Sequence, residues 1–268
     1  MLSCDKLIEK KQREFTAMKE QKKKHLFTNR QLAALLIPLA LDQLLNSFMG
    51  TVDTLIVSNI GSAAISAVSL VDAINILVVE AFLALAAGGT VVCSQYLGNK
   101  DVEKANKAAG QLVFVTFFLS LLMAVICIAF HEPILRAIFG KVEKEVMDNA
   151  KIYFLFSAVA FPFIALYDDG ASILRAQENS RLPMQISIIA NVLNVVLNLL
   201  FVWGFHLGVG GSACATMLAR AFAMAAVLYE LRKPKWTVHL KSYFSIRPDW
   251  DQIRRILKIG IPSGIENS

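Results

Sequence analysis

Leu112 to Phe130 is a run of 19 residues without a charge, and Met184 to Gly204 is another of 21. Nothing constrains the fold more than these two runs. Each is long enough to cross roughly 30 Å of hydrocarbon at about 1.5 Å per residue, and too long for an ordinary core helix. Across all 268 residues, 56% are hydrophobic, only 18% are charged, and the mean hydropathy is +0.53. A soluble domain, a secreted disulfide scaffold and a β-barrel of alternating ten-residue strands are excluded.

Six helical spans are expected, at roughly 32–57, 65–93, 110–130, 150–172, 184–204 and 207–230. Pro162 falls inside the fourth and is expected to kink it. The fold class read from this pattern is an all-α polytopic membrane protein, a six-helix transmembrane bundle. Cys4, Cys93, Cys127 and Cys214 lie far apart, three of them in apolar runs, and read as small apolar residues.

The net charge of +6 does not point to nucleic acid, because the basic residues sit between apolar runs and do not interleave with aromatics. They orient the chain instead. Residues 1–30 carry nine Lys/Arg without the apolar stretch that a signal peptide needs, so the leader is expected to be retained. With it in the cytoplasm, 22 of the 27 basic residues fall inside, and only Arg136, Lys141, Lys144 and Lys151 fall in outer loops. The positive-inside rule then gives a cell-membrane protein with a cytoplasmic N-terminus. Arg220, the remaining basic residue, lies in the inner half of span six, where it can snorkel.

The chain divides into a basic cytoplasmic segment (1–30), a six-helix lobe (31–231), a cytoplasmic linker (232–258) and the truncated start of a seventh helix (259–268). That last stretch echoes span one: Pro38-x-x-x-Asp42 returns as Pro262-x-x-x-Glu266, 224 residues on. A second six-span repeat would start there, and repeated bundles with a polar site between or inside them are a transporter habit.

Carboxylates in hydrocarbon cost several kcal/mol, so those inside the spans are functional candidates by default. Asp42, Asn46 and Asp53 share one face of span one. The alternatives are a hydrogen bond to a neighbouring helix or a place near the headgroups. Asn191, Asn194 and Asn198 share a face of span five, where they either glue helices or line a site. Measured from the outer end of each span, Asp53 lies roughly 6 Å deep, Asn198 roughly 9 Å and Thr216 roughly 13 Å, so the three can meet. Carboxylate, carboxamide and hydroxyl oxygens suit a proton or a small hard cation such as Na⁺, and no other metal is expected. Asp72, Asn75 and Glu80 form a looser group in span two, read as cavity lining or helix contacts. Asp168-Asp169 is expected to be a solvated cytoplasmic end of span four. No grouping of nucleophile and base, phosphate loop or histidine cluster suggests an enzyme.

Four stretches resemble one family, the multidrug and toxic compound extrusion (MATE) transporters. They are Pro38 to Thr54, ending in Val52-Asp53-Thr54; Cys93-Ser94-Gln95-Tyr96-Leu97-Gly98-Asn99-Lys100; Ile173-Leu174-Arg175-Ala176-Gln177 with Arg181-Leu182-Pro183; and Asn194-x-x-x-Asn198 running on to Leu207-Gly208-Val209-Gly210-Gly211-Ser212-Ala213. The resemblance implies one lobe of a twelve-helix, two-lobe antiporter that exports cationic or amphipathic compounds such as drugs against a Na⁺ or H⁺ gradient. It implies no cofactor beyond that ion. The expected partners are membrane lipid, small-molecule substrates and a second lobe or partner chain, with no nucleic acid. It assigns the ion or proton to Asp53, with Asn194, Asn198 and Thr216 as partners. Some members carry Asp where this chain has Asn198, which leaves the ion open. Glu266 resembles an acidic residue of span seven in some members; with Asp42, Asn46, Asp72 and Glu80 it is a cavity-lining candidate. The alternatives are a lipid-linked sugar flippase of the same superfamily, which calls for more basic residues in the cavity than Arg220 alone, and a truncated lobe that does not transport.

Overall fold

A computed structural model of the chain describes residues 29–240 and 248–267. The basic segment expected at 1–30 and the middle of the linker lie outside the described residues. Among the described residues every regular element is a helix. The helices are α1 (Asn29–Ser58), α2 (Ser62–Gly98), α3 (Val102–Ala129), α4 (His131–Phe139), α5 (Lys144–Ala176), α6 (Arg181–Asn198), α7 (Gly208–Leu231) and α8 (Trp250–Asn267), with a π-helical turn, Leu199–Gly204, continuing α6. Five stretches, α2, α3, α5, α6 with its π-helical turn, and α7, are long and apolar enough to cross a membrane. Helix α1 is not among these five; its 30 residues reach about 45 Å, sufficient in length alone.

The chain runs up and down between two ends, a basic end with Lys100 and Arg175 and an opposite end with Ser62 and Phe139. Several helices outrun their apolar cores. Helix α3 starts eight residues before the expected 110, because the Asp101 side chain accepts the Lys104 N–H at 3.1 Å and caps a polar first turn. Helix α5 passes unbroken through Pro162. The short α4 has no counterpart among the expected spans: its apolar Leu135 is buried, Glu132 accepts from Arg136 at 2.6 Å and Lys151 at 3.0 Å, and Gly140, at φ 62°, closes it.

Helix α5 is the hub, packed against α2, α3 and α7, while α6 joins α1 to α7. Two apolar cores result. One, at the basic end, gathers Cys93, Leu112, Leu174, Leu231 and Ile256; the other gathers Val68, Phe82, Leu135, Phe154 and Phe161. Phe118, Leu122 and Val125 of α3 point outward and are about half exposed, as expected of a surface solvated by lipid.

Helix α8 begins at Trp250, earlier than the expected 259, because Asp249 caps it: its carboxylate accepts the N–H groups of Asp251 at 3.1 Å and Gln252 at 3.3 Å. Lys107 of α3 pairs with the same carboxylate and holds it below the ordinary carboxyl range. The Asp249 N–H reaches Gln111 Oε1 at 3.0 Å, which seats the linker on α3. Both α1 and α8 contain an internal proline, Pro38 and Pro262, so the sequence echo is an echo of two helices.

Candidate functional site in the lobe cavity

Asp53 of α1, Asn194 and Asn198 of α6 and Thr216 of α7 form one hydrogen-bonded chain. Asn198 Nδ2 donates to Asp53 Oδ1 at 2.9 Å and to Asn194 Oδ1 at 3.0 Å; Asn194 Nδ2 donates in turn to Thr216 Oγ1 at 3.0 Å. The three residues expected to meet from their depths, Asp53, Asn198 and Thr216, are thus joined in one network, together with the Asn194 that the resemblance implies. The i, i+4 spacing of the two asparagines stacks them on one face of α6. A π-helical turn follows directly after Asn198, and such turns widen a helix where a site is built.

The chain of bonds is unequal in its supply of oxygens. Both Asn198 amide protons are spent on Asp53 and Asn194, while its own Oδ1 is fully buried without a partner. A buried carbonyl of this kind ordinarily has a donor or cation against it. Asn198 and Asn194 thus stand between the oxygens of Asp53 and Thr216 and link them.

Asp53 stands between two hollows. A cavity of about 480 Å³ opens on one side, lined by α1, α2, α5 and α7, and a pocket of about 110 Å³ lies towards α6. The cavity walls carry Asn46, Asp72, Asn75 and Glu80, together with Tyr153, Ser157 and Arg220. Asn75 Nδ2 bridges Asp72 Oδ1 at 3.3 Å and Ser157 Oγ at 3.1 Å, which ties α2 to α5. Asn191 Nδ2 reaches Asn46 Oδ1 at 3.4 Å.

Three expectations need correction. Asp42 is 8% exposed, lines neither hollow and accepts from Asn46 Nδ2 at 3.4 Å, so its shared face with Asp53 does not bring it to the cavity. Asp169 is not a solvated end. It is fully buried, because α5 runs on to Ala176 and Val227 and Leu231 of α7 close over the adjoining Gly170. Arg220 does not leave the bundle for the basic end but lines both hollows. Glu266 lies in α8, its side chain outside the described residues. Tyr153 and Ser157, missed in the sequence, sit at i, i+4 on α5; two polar groups so spaced in an apolar run were the available signal.

The MatE family profile matches residues 38–200. The uncharacterized transporter YisQ of Bacillus subtilis is 30% identical over 241 residues, covering 88% of this chain and 52% of its own length. The probable multidrug resistance protein NorM of Thermotoga maritima is 25% identical over 250 residues, 89% of this chain and 51% of its own. In fold, this chain is similar to a MOP superfamily transporter from Pyrococcus furiosus, with a TM-score of 0.81 at 22% identity over 88% of this chain and 52% of that one. An outward-facing multidrug resistance MATE family transporter also gives a TM-score of 0.81, at 21% identity over the same shares. The chain spans about half the length of the curated relatives it matches.

Proposed function

The chain belongs to the MATE family of membrane transporters, and on that premise we propose that it is the N-terminal lobe of an antiporter that exports cationic or amphipathic small molecules in exchange for Na⁺ or H⁺. The observation that carries the reading is the bond from Asn198 Nδ2 to Asp53 Oδ1 at 2.9 Å, with Asp53 on the wall of a 480 Å³ cavity. It supports a coupling site whose ion contacts Asp53, Asn198 and Thr216, with Asn194 holding the set in register. Loading of Asp53 biases the lobe between outward- and inward-open states by its different affinity in each, and the cargo takes the cavity in the state that has released the ion. The names of relatives such as NorM, a probable multidrug resistance protein, support drugs as the substrate class. A cell-membrane location with the basic end in the cytoplasm follows from the positive-inside rule.

The test replaces Asp53 in the transporter at the full length its gene encodes. Asp53→Asn keeps size and hydrogen bonding but removes the charge, so membrane levels hold while efflux of ethidium from cells is lost. Wild-type efflux by this variant at equal membrane level overturns the coupling role.

A further inference from the structure

Among the described residues that line the cavity, Arg220 is the basic one. It stands 12 residues into α7, about 18 Å below the opposite end, whereas Asp72 on α2 stands about 15 Å deep and Glu80 about 27 Å. Asp53 and Asp168 lie close enough to feel its charge. Even so, among the described residues its guanidinium makes no ion pair within 4.0 Å and no hydrogen bond. A guanidinium kept only as a counter-charge would close on a carboxylate, because taking it out of water unpaired costs heavily. One at mid-membrane depth without a protein partner faces a water-filled cavity or a ligand.

The cavity therefore holds both signs of charge. Carboxylates of Asp72 and Glu80 stand on α2, and the planar fork of N–H donors on Arg220 stands on α7. Phe156 and Ile76 add apolar wall to the same cavity. A plain lipophilic cation satisfies only the carboxylates and is repelled by the guanidinium. A compound with an ammonium and an acidic group satisfies both, and the fork of an arginine matches a carboxylate bidentately.

We infer that the cavity is built for a zwitterion, an amphipathic compound whose ammonium is drawn to Asp72 and Glu80 and whose acid is gripped by Arg220, so that Arg220 determines specificity. This rests on the reading of the cavity as the export site and adds the cargo's second charge.

The test measures binding apart from export. Full-length transporter is purified and titrated with Nε-dansyl-lysine, a zwitterion, and with its methyl ester, a cation of nearly the same shape, following dansyl fluorescence. Wild type prefers the zwitterion, and Arg220→Gln lowers that preference about tenfold, the size of one charge-assisted contact. Arg220→Lys keeps the charge without the fork and falls between; it decides the matter alone where the glutamine variant does not fold. Equal affinity of the two probes in wild type, absence of binding by both, or an equal weakening of both in Arg220→Gln overturns the inference. Efflux of the same probes from cells is read separately. Arg220-dependent binding without export refutes the export reading and leaves the zwitterion site standing.

Discussion

Asn198 donates to Asp53 Oδ1 at 2.9 Å across 145 residues of chain, and the same amide nitrogen holds Asn194 Oδ1 at 3.0 Å. One side chain thus joins the Asp53 carboxylate to Asn194 and, through it, to Thr216. Asn198→Ala removes both donors and the buried acceptor, and efflux by the full-length transporter should fall about tenfold or more. Asn198→Asp keeps acceptor oxygens in place and should retain more activity than alanine. Ethidium efflux at matched membrane levels reads both; equal, undiminished efflux from the alanine variant removes Asn198 from the coupling set.

Residue spacing made Asp53, Asn198 and Thr216 legible as a set, because depth from a helix end follows from counting at about 1.5 Å per residue, and Asn194 joined them through its shared face with Asn198 and the family resemblance. What spacing cannot supply is which neighbours pack at each level of a helix. Asp42 and Asp53 share a face of α1 in projection, yet only Asp53 reaches the cavity, because the two lie 11 residues apart along the axis and different neighbours pack there. The burial of Asp169 is hidden from the sequence for a like reason: solvation of a helix end depends on how far its partners extend, and α7 covers that turn. Arg220 depended on where a long side chain turns, and a chain of apolar neighbours carries no record of that. The early start of α8 was legible after all, since Asp249 before an amphipathic stretch is a cap signal.

Helix α8 crosses α2 at two glycines. A Cβ on Gly88 would stand 2.6 Å from the Ile256 carbonyl oxygen and 2.7 Å from the Gly260 nitrogen, both backbone atoms that cannot turn away. Gly88→Ala should therefore push α8 off α2 and cost about 1–3 kcal/mol. Gly210→Ala, whose Cβ meets only Ile152 Cγ2 at 3.4 Å, serves as the tolerated comparison. Thermal unfolding in detergent checks the pair, and equal midpoints would show that the crossing is not tight.

Charge asymmetry predicts which end faces the cytoplasm. Lys100 and Ser62 are both exposed and lie at opposite ends of α2. With the native cysteines replaced, Ser62→Cys should label in intact cells with an impermeant maleimide, and Lys100→Cys only after permeabilisation. The reverse pattern inverts the orientation, and with it the side from which cargo enters.

Asp169 should be the acid that the lobe folds better without. Its side chain is 0% exposed, and among the described residues the Thr116 hydroxyl is the polar group beside it, close but without an aligned hydrogen bond. An unpaired carboxylate in such a place costs several kcal/mol as the anion, and even as the neutral acid it leaves polar atoms unsatisfied. Asp169→Asn matches its volume and cannot ionise, so the thermal midpoint in detergent should hold or rise. Asp169→Leu is bulkier beside Gly170, which already meets Val227 and Leu231, and should lower it. A fall of more than about 1 kcal/mol for Asp169→Asn would mean that the carboxylate is engaged as an anion in the membrane-embedded protein. The same variant should leave ethidium efflux intact, because the Asp53 set and the cavity lining do not include this residue.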